Sequence, residues 1–227
     1  MLFAEEKYRE AAERFRHSLQ SYVSHYNSKT GPKNLEAIGS SQIVSYVLMK
    51  SEQFDEAINT LTMELNKAKE VYGSESIQAA ETMTNLATVY FYKNDFDKAE
   101  ECYKTALQYF YSSFTSDRAE YPVGDSFIVV LSGLGDINYI QGRYERARKY
   151  FLKVEDLFYE DDSADRISLY LPAMKNLAMA HWHLGDLDKA LAGLQYLRHL
   201  LERDPKYGED HPHKLRVEGL IGELQSM

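Results

Sequence analysis

Residues 83–107, MTNLATVYFYKNDFDKAEECYKTAL, place apolar side chains at helical spacing on both sides of a short polar break. Before the break, Leu86, Ala87 and Tyr90 fall on one face; after it, Phe96, Ala99, Tyr103, Ala106 and Leu107 do the same. The pattern predicts two antiparallel helices joined by the turn Lys93-Asn94-Asp95, with Asp95 capping the free N–H groups of the second helix. Ala87 and Ala99 let the two axes approach, and the ring of Tyr103 fills the space beside them. Such a hairpin cannot bury its apolar face alone, so it needs neighbours of the same kind.

The same frame recurs. LSGLGDINYIQGRYERARKYFLKV (131–154) carries it with Leu134, Gly135, Tyr144, Ala147, Phe151 and Val154. MKNLAMAHWHLGDLDKALAGLQYL (174–197) carries it with Leu177, Ala178, Gly185, Leu187, Ala190, Leu194 and Leu197. A weaker copy, SQIVSYVLMKSEQFDEAINTLTMEL (41–65), has Val44, Ser45, Phe54, Ala57 and Leu61, and EKYREAAERFRHSL supplies a lone second helix. The small residues Ala11, Ala57, Ala99, Ala147 and Ala190 are spaced by 46, 42, 48 and 43 positions. One array over residues 1–227 follows: a partial repeat or N-terminal cap over 1–26, repeats over 34–72, 76–112, 124–160 and 167–203, and a capping helix over 211–227. Met1-Leu2-Phe3-Ala4 reads as the last turn of a first helix whose start is missing, with a capping role for helix 5–26 as the alternative. Residues 27–34 form a Gly-Pro connection. The long interval is explained by SSFTSDRAEYPVGD after the aromatic run Tyr109-Phe110-Tyr111, and residues 159–166 form an acidic loop. Pro172 is expected in the first turn of its helix.

The frame L-A/G…Y…G-x-[FYL]-x-x-A-x-x-x-[FYL]-x-x-A resembles the tetratricopeptide repeat. The intervals are longer than that family's usual period by about two helical turns. VYGSES (71–76) before TNLA (84–87), KNLA (175–178) and KYGEDHP (206–212) resemble the longer repeats of kinesin light chains. The resemblance implies an all-α, right-handed superhelical solenoid of antiparallel helix pairs whose first helices line a concave groove. The residues it would turn into that groove are Tyr46 and Lys50; Asn85, Thr88 and Tyr92; Asp136 and Ile140; and Asn176, Met179 and His183, with Lys175 and Trp182 at the margins. In the light-chain type of repeat, the Asn before Leu-Ala resembles one that hydrogen-bonds the main chain of an extended peptide. An amide both donates and accepts, so it grips backbone without selecting a side chain. Gly133 and Ile43 interrupt that row, and the alternative role for Asn85 and Asn176 is to bridge neighbouring helices. Lys50 and Lys175 set against Asp136 do not make a carboxylate clamp, whereas Tyr46, Tyr92, Ile140, Met179 and Trp182 suit an aromatic or aliphatic anchor.

Composition narrows the function. The chain is 44% apolar and 27% charged, an ordinary globular balance. A net charge of -9 opposes a polyanionic backbone and argues against nucleic acid as partner. The single cysteine, Cys102, excludes an internal disulfide and reads as a structural or surface thiol. No apolar run reaches membrane-spanning length and no signal peptide precedes the first repeat, so a soluble cytoplasmic protein is expected. Phosphate-binding, zinc-protease, nucleophile-elbow and kinase motifs are absent. His181 and His183, two apart on a helix, diverge, and His181 falls on a core position; His211 and His213 belong to a helix-opening phrase. Neither pair predicts a metal. The basic stretch Arg143, Arg146, Arg148, Lys149 and Lys153 reads as a solvated outer face of a second helix. The expectation is a non-enzymatic adaptor without cofactor or metal that binds a peptide or protein segment. The alternatives are a structural subunit of a larger assembly and a peptide-sensing receptor like the bacterial Rap group.

Overall fold

A computed structural model of the chain describes Arg14, Tyr46 and residues 48–114, 124–160, 167–204 and 206–226. The expected helix over 5–26, the Gly-Pro connection at 27–34, most of the polar interruption and the acidic positions 161–166 lie outside the described residues, as do Val44 and Ser45. Residues 46 and 48–50 are helical, and the helices that follow are α1 (Phe54–Tyr72), α2 (Ile77–Tyr92), α3 (Phe96–Phe114), α4 (Asp125–Ile140), α5 (Tyr144–Glu160), α6 (Ile167–His183), α7 (Leu187–Arg203) and α8 (Pro212–Gln225). No strand occurs among the described residues. The chain divides into two compact units, residues 1–130 and 131–227.

In the first unit α2 packs against both α1 and α3. Leu48, Ala57, Leu61, Ala80, Ala87, Ala99, Tyr103 and Ala106 are all at most 2% exposed, so the small residues of the repeated frame sit at the helix contacts. In the second unit α6 packs between α5 and α7, and α8 packs on α7. Its core is formed by Leu131, Leu134, Ile137, Ala147, Phe151, Val154, Tyr170, Ala190, Leu194 and Leu197, again at most 2% exposed. Gly135 is the tightest point: a Cβ there would lie 2.4 Å from the Phe151 ring. Glycine at this position is what lets α4 and α5 pass each other. Leu187 departs from the expected frame, being 41% exposed, because it opens α7 at the tip of its hairpin.

Each hairpin turns in the same way. Glu52, Asn94, Gly142 and Gly185, two residues before the second helix in every case, all have a positive φ, between 61° and 82°. The residue after each returns its N–H to a carbonyl five positions back: Gln53 to Leu48 (2.8 Å), Asp95 to Tyr90 (2.9 Å), Arg143 to Asn138 (2.8 Å) and Asp186 to His181 (2.9 Å). This left-handed cap satisfies the last carbonyls of the first helix and reverses the chain. Asp95 then accepts from the Lys98 N–H at 3.3 Å, the cap expected of it. Pro172 differs from expectation. It lies inside α6, which begins five residues earlier at Ile167. Proline removes the N–H that would have bonded the Ser168 carbonyl, but Pro172 is exposed, and burial of Tyr170, Leu171, Ala173 and Met174 around it holds the helix together.

Candidate functional site

In the first unit the site residues come from the short helical stretch before α1 and from α2. The Lys50 ammonium lies 5.4 Å from the Tyr46 ring centroid and 5.3 Å from that of Tyr92, held between two aromatic faces. Both rings remain more than half exposed, at 56% and 52%. Asn85 is half-buried, and its amide has no side-chain hydrogen bond among the described residues. Thr88 turns inward instead: its hydroxyl donates to the Thr84 carbonyl at 2.9 Å and lies 3.0 Å from the Tyr103 hydroxyl, tying α2 to α3.

In the second unit α4 and α6 bring Asp136 and Asn176 together. The Asn176 amide donates to Asp136 Oδ1 at 2.7 Å. Burial pushes the Asp136 carboxyl up to about 6, against the pull of that hydrogen bond and of the Lys175 charge. The Lys175 ammonium is pushed down by its own burial; Asp136 opposes this, and the Arg216 charge from α8 adds to it. Ile140 is 53% exposed, while Met179 and Trp182 are half-buried. His183 joins a ring cluster. It stacks on Tyr144 with centroids 4.3 Å apart and planes 6° from parallel, and its Nε2 lies 3.0 Å from the Tyr139 hydroxyl. Tyr139, Tyr144 and Arg216 are additions to the set read from sequence. Tyr144 was assigned to the repeat frame alone, and nothing local in the sequence pairs Tyr139 with a histidine 44 positions away.

Cys102, half-buried on α3, has its thiol pushed up to about 11 by burial and by the nearby Glu101 and Asp95 charges, far from a thiolate nucleophile. His181 is 8% exposed, and its Nδ1 lies 3.3 Å from Asp186 Oδ2, which also accepts from Arg148 at 3.1 Å. Its core position is therefore as read from sequence. No group of three or more His, Cys, Asp or Glu side chains is arranged to hold a metal among the described residues, and no described helix is long and apolar enough to cross a membrane.

Profiles of the tetratricopeptide repeat match residues 41–112 and 130–160. These two stretches of the chain are tetratricopeptide repeats. Members of this family are repeat scaffolds for protein interaction, and this chain is an interaction module in that general sense. BtubC (BKLC) from P. vanneervenii is similar with a TM-score of 0.76 at 17% identity, covering 98% of this chain and 84% of that one. A putative kinesin light chain from Podosopora anserina with nearly identical TPR-like repeats gives 0.68 at 14% identity, covering 86% and 88%. At these identities the likeness is one of fold: an all-α array of antiparallel helix pairs, similar to kinesin light chain repeats. No curated protein matches the sequence significantly.

Proposed function

We propose that this chain is a non-enzymatic adaptor that holds a peptide or a segment of a partner protein against the faces of its first helices. The Asn85 amide carries the reading. It is free of side-chain partners among the described residues, on the same helix as Tyr92, whose exposed ring flanks Lys50. A free amide beside an aromatic face suits a backbone held by hydrogen bonds and a side chain held by packing. In the second unit Asn176 keeps one amide proton and its carbonyl for a ligand while the other proton is held by Asp136. Lys175, Met179 and Trp182 would flank it. Within the same reading the repeats run over 34–72, 76–112, 124–160 and 167–203, and 211–227 closes the array.

The test is a pull-down from an extract of the source cells, with wild type beside the Asn85→Ala/Asn176→Ala variant, read by mass spectrometry after both are shown to melt together. A partner held by wild type and lost by the variant is expected. Equal retention of every partner would make the asparagines structural and move the assembly-subunit reading to first place.

A further inference from the structure

On the second unit, through residues other than the stripe of Asn176, Met179 and His183, α5 and α7 stand side by side over α6 and leave an open cleft of about 670 Å³. Two pairs of residues show that its walls run parallel: Arg148 meets Asp186 near the start of each helix, and the Tyr159 and Tyr196 rings lie 6.1 Å apart further along. From Arg148 to Tyr159 the cleft spans three turns of α5, roughly 16 Å at the helical rise. Its floor on α6 is apolar at Met174, Leu177 and Ala178, with His181, which is paired with Asp186, as the one polar floor residue. Gly193 keeps it deep, since the bare backbone sits where a Cβ would already touch Ala178 at 3.3 Å. Leu152 at 37% and Tyr159 at 60% exposure leave the α5 wall apolar and open.

The two walls carry opposite charges that do not meet. Glu155 on α5 and Lys189 on α7 both line the cleft, and neither has an ion-pair or hydrogen-bond partner among the described residues. Arg148 is already committed to Asp186. Burial, and then the neighbouring Asp156, hold the Glu155 carboxyl above its ordinary range, as for a carboxylate that lacks a cation. We propose that this cleft docks an amphipathic helix of a partner protein, about three turns long, whose narrow apolar stripe is flanked by a basic residue on one edge and an acidic residue on the other. The basic edge meets Glu155 and the acidic edge meets Lys189, while the stripe covers Leu152, Ala192 and Tyr196. The cleft shares no residue with the stripe of Asn176, Met179 and His183, so one chain holds two partners or two segments of one partner.

The probe is a stapled, fluorescein-labelled helix of about 14 residues with a Leu stripe, made with one Lys edge and one Glu edge, and a second version with Glu on both edges. Fluorescence anisotropy on the whole chain is expected to show the mixed-edge helix binding about fivefold tighter than the all-Glu helix. Glu155→Lys makes both walls basic and is expected to invert that order. Ala192→Trp, at an exposed wall position, fills the cleft and is expected to weaken the mixed-edge helix by at least about tenfold. Asn85→Ala/Asn176→Ala is expected to leave it unchanged, which separates this site from the first-helix reading. No preference between the helices, an order unmoved by Glu155→Lys, or undiminished binding to Ala192→Trp would each overturn the proposal.

Discussion

Glu64 is the residue whose surroundings are least suited to it. It sits in the apolar seam of α1 with Ala57, Leu61, Leu65 and Ala68, is 4% exposed, and neither carboxyl oxygen has a hydrogen-bond partner among the described residues. Burial pushes its carboxyl from 4.5 up to about 8, so the folded protein holds a proton there at neutral pH that the unfolded chain has released. Between those two values the native state binds more protons than the unfolded one, and stability falls as pH rises. Glu64→Leu is expected to stabilise the protein by a few kcal/mol at pH 9 and by much less at pH 5, as measured by urea unfolding at each pH. An equal gain at both would mean that the carboxyl is ionised, or solvated, throughout. The spacing from Leu61 to Ala68 puts Glu64 on the core face, yet residue type alone assigns a glutamate to solvent. The candidate ligand residues were readable to the same depth. Their stripe on the first helices follows from the resemblance to the repeat family, but that Thr88 turns to Tyr103 and Asn176 to Asp136 depends on rotamers and on residues 15 and 40 positions away.

At the scale of the element, the hairpin was the most legible unit of this chain, because its determinants are local. The polar break, the small residues and the capping Asp95 all lie within a few positions of one another. The left-handed residue of each turn was marked by glycine only at Gly142 and Gly185; Glu52 and Asn94 adopt the same conformation without that sign. Pro172 was misplaced because proline at a helix start is a statistical preference, whereas the start of α6 follows the buried residues at Tyr170 and Leu171. The α4–α5 contact gives a sharp test. With the Phe151 ring occupying the space a Cβ would need, Gly135→Ala is expected to destabilise the protein by about 1–3 kcal/mol despite alanine's better helix propensity. Adding Phe151→Leu is expected to recover part of that loss, since the smaller side chain vacates the collision. Chemical denaturation of the single and double variants decides it, and a neutral Gly135→Ala would show that the ring moves aside freely.

For the molecule as a whole, the interval of 42 to 48 residues announced a repeat array before any contact was known, because each hairpin leaves an apolar face that only a neighbour covers. What the array binds was not legible in that interval, which specifies packing and is silent about surfaces. Stability in such a chain is a sum of neighbour contacts, and the second unit grades it: α6 is packed by α5 and α7, whereas α8 is packed by α7. Amide hydrogen exchange is expected to be slowest in α6 and clearly faster in α8, and uniform protection of the two would contradict a nearest-neighbour description. The bond between Asn176 and Asp136 has a bearing on ancestry and engineering. Asn85 and Asn176 occupy equivalent places, but the position upstream that gives Asn176 its carboxylate is Tyr46 for Asn85, which is why one amide is tethered and the other loose. The repeats of this chain are therefore not interchangeable cassettes. A duplication, or a transplant of α6 and α7 behind another hairpin, would carry the asparagine without its acid and produce a different surface from an unchanged stretch of sequence.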